Sequence, residues 1–295
     1  MSGATLKCAY CGEAGNRFTN EHLWPGALHR RFAEGSGGTH FFLDRSPQKF
    51  VAGEPTVKDV CVKCNNGELS KLDTYACELY DRYFHLQIES GQTINFEFDY
   101  ERLLRWLLKI VFNSARIHGS DTKVITSYRN YILGQFQEPR HVRLFLYLIK
   151  PAIYTVEDEI VDTAFKAGTN MYADRLRVGH VAVPNDAFEA VTGRSVIINA
   201  FAFSIFLGDR NAPVGCMREV ESAFFKACPC ARLLDSQGKP ADVAATGDDA
   251  KAALAWHHLI NKEAYGEPFD RFREKYLKNR RQISAGGAGD QTSLY

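Results

Sequence analysis

The residues best equipped for chemistry are four cysteines in two Cys-x-x-Cys pairs, Cys8/Cys11 and Cys61/Cys64. A Cys-x-x-Cys turn can offer both sulfurs to one ion, and two such turns close a tetrahedron around zinc with no open position. Such a site is structural and stabilises a module too small to fold on its own core. The 49 residues between the pairs exceed what a simple zinc ribbon carries, so a further segment is inserted. Within it, "TNEHLWPGAL" (19–28) sets Glu21 beside His22. A neutral imidazole near pH 7 can act as a general base, and a carboxylate can hold a hard divalent ion. The second pair runs straight into Asn65 and Asn66. Asparagine is a preferred helix cap, and its side-chain oxygen can also serve a metal.

These residues need elements to position them. "HFFLD" (40–44) and "TVKDV" (56–60) read as strands, with "GSGG" (35–38) and "RSPQKFVAGEP" (45–55) as loops. After Cys64, residues Leu69, Leu72, Ala76, Leu79 and Tyr83 recur at three- and four-residue steps, the pattern of an amphipathic helix. "INFEFDYERLLRWLLKIVFNSARIHG" (94–119) predicts a short strand and then a helix capped by Asp99 and stopped at Gly119. Leu103, Leu104, Leu107, Leu108 and Val111 form its core face. A second helix is expected from Asp121 to about Phe136. "HVRLFLYLI" (141–149), "RLRVGHVAV" (175–183) and "SVIINAFAFSIFLG" (195–208) read as buried strands, and 240–253 as a polar connector entering a helix. The segment 267–282 reads as a basic-ended helix. The expected fold class is α+β: a zinc-stabilised module over 1–90, a larger mixed helix-and-sheet domain over 91–283, and a disordered tail over 284–295.

The order Cys8-x-x-Cys11, Glu21-His22-Leu23-x-Pro25, Cys61-x-x-Cys64-Asn65-Asn66 resembles the zinc-framed branch of the HNH endonucleases, with the ββα-metal fold. The resemblance covers residues 8 to about 73. It implies a structural zinc on the four cysteines and a metal-dependent hydrolysis of phosphodiester bonds in DNA or RNA. By position, it assigns His22 as the base that activates water, and Glu21 and Asn65 as ligands of a catalytic Mg²⁺ or Mn²⁺. The family's middle asparagine, which pins the loop bearing the histidine, has no counterpart, since no Asn lies between 21 and 64. Thr56 or Asp59 could supply that hydrogen bond. Together with "LLRWLLKIVF", the motifs also resemble a group of uncharacterised bacterial HNH proteins, which implies a role in restriction or anti-phage defence. The rival reading is a non-catalytic zinc module that binds nucleic acid or protein.

A nuclease must hold phosphates, and Arg17, Arg30, Arg31 and Lys63 are the candidate contacts. The net charge is only +1, and residues 1–80 carry nine Lys/Arg and nine Asp/Glu. No global field therefore draws in nucleic acid, and little sequence specificity is expected. No apolar signal segment opens the chain and no stretch reaches the roughly 20 apolar residues of a membrane span, so a cytoplasmic protein without a membrane partner is expected. No phosphate-binding glycine loop is present. The domain after residue 90 is left with a dimer, partner-protein or ligand surface. Cys228-Pro-Cys230 is one residue tighter than a zinc knuckle, Cys77 and Cys216 read as packing residues, and His29, His40, His257 and His258 as surface or structural histidines.

Overall fold

The computed structural model describes residues 6–15, 17–36, 41–44, 49–52, 56–118, 122–135, 139, 141–156, 166–173, 176–181, 190–209, 212–213 and 215–250. The expected helix at 267–282, the tail, His40, His257 and His258 lie outside them.

The chain begins with a turn around Cys8 and Cys11 and enters β1 (Phe18–His22). A helix α1 (Gly26–Ser36) and a hairpin of β2 (Phe41–Asp44) and β3 (Lys49–Ala52) separate β1 from β4 (Thr56–Cys61). Strand β3 falls in the stretch read as loop, and α1 runs into the "GSGG" segment. Strands β1 and β4 pair antiparallel, with a bulge between Thr19 and Glu21. From β4 the chain passes into α2 (Val62–Cys64), a π-helical turn (Asn65–Leu69), α3 (Ser70–Leu79) and a second π-helical turn (Tyr80–Phe84). Leu69, Leu72, Ala76, Leu79 and Tyr83 are all buried, as their spacing requires.

Strand β5 (Thr93–Phe96) leads into α4 (Tyr100–His118). Asp99 caps this helix: its carboxylate accepts from the Arg102 N–H at 3.1 Å. The single helix expected next is two short ones, α5 (Thr122–Thr126) and α6 (Arg129–Ile132). The turn between them bears Tyr128, whose hydroxyl donates to the Gly208 carbonyl at 2.9 Å.

The second half is built on a five-stranded sheet. It comprises β6 (Val142–Leu148), β9 (Leu176–His180), β10 (Val191–Ile198), β11 (Phe201–Gly208) and β12 (Arg232–Leu234), in the order β12-β6-β11-β10-β9 and antiparallel throughout. The stretch 195–208, read as one strand, is a hairpin turning at Asn199 and Ala200, with Asn199 at φ 51°. Asparagine tolerates that left-handed conformation better than other side-chain-bearing residues. The connector expected at 240–253 holds β13 (Ala241–Ala244), which pairs with β5. Two further short strands, β7 (Ala152–Ile153) and β8 (Asn170–Met171), pair with each other.

Both sheet faces are covered, so β11 is buried along its whole length. Phe201, Phe203, Ile205 and Leu207 join the core shared with α4 and the N-terminal elements, while Phe206 meets Phe224 of helix α7 (Cys216–Ala227) on the other face. Alternation along a strand sends these sets to opposite faces. The first core runs from Cys8 and Tyr10 through Trp106 to Val243 and Ala245 without a break near residue 90. The fold is α+β, and among the described residues no helix is long and apolar enough to cross a membrane.

Candidate metal centre and polar site

The four cysteines converge. Their sulfurs lie within 4.8 Å of one another, and Cys11 Sγ is 3.8 Å from Cys61 Sγ. Four sulfurs at about 2.3 Å from a central zinc would stand about 3.8 Å apart, so the cluster fits that ion. The first pair is carried on a tight turn in which the Gly12 N–H donates to the Cys8 carbonyl. The second pair is carried where β4 becomes helix. Burial raises the Cys8 thiol, but backbone hydrogen bonds from Cys61, Cys11 and Tyr10 outweigh it and bring the pKa to about 7. Burial and the neighbouring thiols push Cys64 far up. Crowded thiols of this kind are what a bound cation would relieve by taking them as thiolates.

Behind the cluster, β1 ends in Glu21 and His22. Asn65, the first residue after Cys64, reaches back to β1: its amide nitrogen donates to Thr19 Oγ1 at 2.8 Å and to the Asn20 carbonyl at 3.3 Å. The cysteine frame thus brings Asn65 beside the strand that bears Glu21 and His22. The nitrogen is spent on the strand, which leaves the side-chain oxygen as the atom with ligand capacity.

Glu21 is buried, at 2% exposure. Its contacts fall on Oε1, which lies 2.8 Å from Lys109 Nζ and accepts from Asn113 Nδ2 at 3.1 Å. Both partners come from α4. Lys109 also donates to both Asp73 oxygens at 2.6 Å. Burial works against the lysine charge, but the carboxylates of Asp73 and Glu21 prevail and hold its pKa above the ordinary value. His22 is half-buried, and burial raises the Asp73 carboxyl above its ordinary value against the pull of Lys109. Asn113, with 0% exposure, donates to the His22 carbonyl at 2.8 Å and accepts on Oδ1 from the Tyr10 hydroxyl at 2.6 Å and from Arg116 at 2.5 Å. Burial keeps the Tyr10 phenol protonated by pushing its pKa well up. Arg116 in turn pairs with Asp59.

A side chain that holds the His22 main chain is Asn113, from α4. Asp59 is held by Arg116, and Thr56 lies opposite His22 in the β1–β4 register. Lys109, Asn113 and Asp73 carry no motif of their own. The available signal was a polar stripe on an apolar helix: Arg105, Lys109, Asn113 and Arg116 repeat at four, four and three residues along α4. Such a stripe reads as a solvent face. Here it docks on the N-terminal elements, with Arg105 meeting Glu68 at 2.9 Å.

The candidate phosphate contacts scatter. Arg17 and Arg30 are exposed. Arg31 forks onto Asp81 at 2.7 and 2.9 Å, and Lys63 stands 3.8 Å from Glu13 at high exposure. His29, read as a surface residue, lies within α1 and is buried, at 8% exposure. Cys77 and Cys216 are buried, as expected of packing residues. Comparison of the chain with family models, with curated proteins and with solved structures gave no match.

Proposed function

We propose that the protein is a metal-assisted endonuclease of the HNH type, hydrolysing phosphodiester bonds in DNA, with His22 as the general base. The observation that supports this reading is the convergence of β1 and the cysteine frame. Asn65 follows Cys64 directly and is hydrogen-bonded to the strand two residues before His22. A zinc on Cys8, Cys11, Cys61 and Cys64 would fix that juncture, and rigid placement of a base is what hydrolysis requires. His22 would take the proton from the attacking water, and its main chain is pinned for the task by Asn113. A Mg²⁺ or Mn²⁺ ion on the Asn65 oxygen and the substrate phosphate would supply charge stabilisation at the leaving oxygen. Glu21 fits that ion poorly, because a like charge, the Lys109 ammonium, already sits on its carboxylate. Arg17, Arg30 and Lys63 are the side chains available for phosphate contacts, together with Arg31 if it leaves Asp81. A part in defence against phage belongs to this proposal as well.

The buried Lys109–Glu21 pair is also the observation that favours the rival, a non-catalytic zinc module for nucleic acid or protein. One experiment separates the two. Supercoiled plasmid is incubated with the protein in Mg²⁺ or Mn²⁺, beside His22→Ala and a chelator control. The nuclease reading expects nicking by wild type and a loss of at least about 100-fold in His22→Ala. Nicking that persists in His22→Ala removes the assignment of the base. No nicking in either metal leaves the rival.

A further inference from the structure

The carboxylates beside His22 already hold a cation, and it is part of the chain. A lysine ammonium has three N–H donors. Around Lys109 Nζ stand three carboxylate oxygens: Glu21 Oε1 at 2.8 Å and both Asp73 oxygens at 2.6 Å. The ammonium is saturated, the lysine side chain is 1% exposed and that of Glu21 is 3% exposed. Glu21 comes from β1, Asp73 from α3 and Lys109 from α4, so the three meet only in the folded chain. Two carboxylates from separate elements, closing on a buried point with an amide beside them, form a donor set that a hard divalent ion would accept.

We propose that Lys109 is the resident cation of the Glu21–Asp73 pair, held by α4 in the place a divalent ion would take. The pair then binds Mg²⁺ or Mn²⁺ only when this ammonium is removed. Glu21 acts as a positioning residue: with Lys109 and Asn113 it ties the end of β1, and so the His22 main chain, to α4. The cluster carries one negative charge in excess with Lys109 present and two without it. A divalent ion is therefore repelled by the ammonium in wild type and gains a neutralising site once the lysine charge is lost.

The proposal bears on the metal of the nuclease reading, but its test needs no DNA. Mn²⁺ binding is measured on the full chain with its zinc retained, by loss of the free-ion electron-resonance signal, for wild type, Lys109→Met, Lys109→Met/Glu21→Gln and Glu21→Gln. The expected result is at least about 10-fold tighter Mn²⁺ binding in Lys109→Met than in wild type, abolished when Glu21→Gln is added. Equal binding in wild type and Lys109→Met would overturn it. If Lys109→Met does not fold, wild type against Glu21→Gln decides. Mn²⁺ binding in wild type that depends on Glu21 overturns the proposal, and binding indifferent to Glu21 supports it. The two readings fail separately. A protein that nicks DNA with Mn²⁺ on Glu21 loses only the resident-cation assignment. One that never nicks but gains the Lys109→Met site loses only the nuclease.

Discussion

Asn113 is the residue on which most of the polar site closes. Its amide has two donors and one acceptor oxygen, and all are used: Glu21 and the His22 carbonyl receive, while Tyr10 and Arg116 give. A buried network of this kind stabilises only while every member is satisfied. Asn113→Ala would strand the Tyr10 hydroxyl away from water and loosen Glu21 and the His22 main chain. Each orphaned group costs about 1–3 kcal/mol, so the variant is expected to lose about 2–4 kcal/mol, read from the shift of the urea midpoint. An alanine variant within about 0.5 kcal/mol of wild type would show that these bonds form no closed network.

Helix α4 is the element that joins the halves of the molecule. Its apolar residues enter the core, with Trp106 beside Trp24 at 6.2 Å between ring centroids. Its polar stripe meets the N-terminal elements along the same helix. At one end of the stripe, Glu68 accepts from Lys71 and from Arg105, and these bonds lower its carboxyl below the ordinary value of 4.5. A lowered carboxyl contributes stability above its unfolded value, and the contribution is lost as pH falls through the folded one. Wild type should therefore lose stability more steeply than Glu68→Gln below about pH 4.5, with the difference between them shrinking toward zero at lower pH. Urea midpoints collected across that range check it, and parallel curves would show that the contact carries nothing. The contribution is modest because Glu68 is partly exposed.

At the scale of the whole molecule, the first ninety residues share a continuous core with the rest of the described chain. Tyr10, Leu69, Leu72 and Ala76 share one cluster with Trp106, Phe203 and Val243. A fragment of residues 1–90 would expose that face and would leave Glu21 and Asp73 facing each other without Lys109. It is expected to show no cooperative thermal transition even with zinc supplied, whereas the full chain shows one. A fragment with a sharp transition of its own would mean that the cysteine frame suffices.

Much of this was legible in the residues. Cys8, Cys11, Cys61 and Cys64 announced a cluster because ligand spacing within a turn is local. The helix after Cys64 followed from periodicity and the strand at 141–149 from a short apolar run, and both signals are local. The hairpin at 195–208 was missed because a strand covered on both faces shows no alternation, and the Asn199 turn carries no glycine or proline to mark it. Strand β13 was missed because its partner, β5, lies far away in sequence. The polar site shows the same limit. The sequence by itself determined which residues could do chemistry at β1 and at the cysteine pairs. Only the tertiary structure decided that Glu21 faces Lys109, that Asn113 holds the His22 main chain, and that a polar stripe on α4 is an interior surface. A polar residue on a helix has the same local signature whether water or a buried carboxylate receives it, and only the packing of distant elements distinguishes the two.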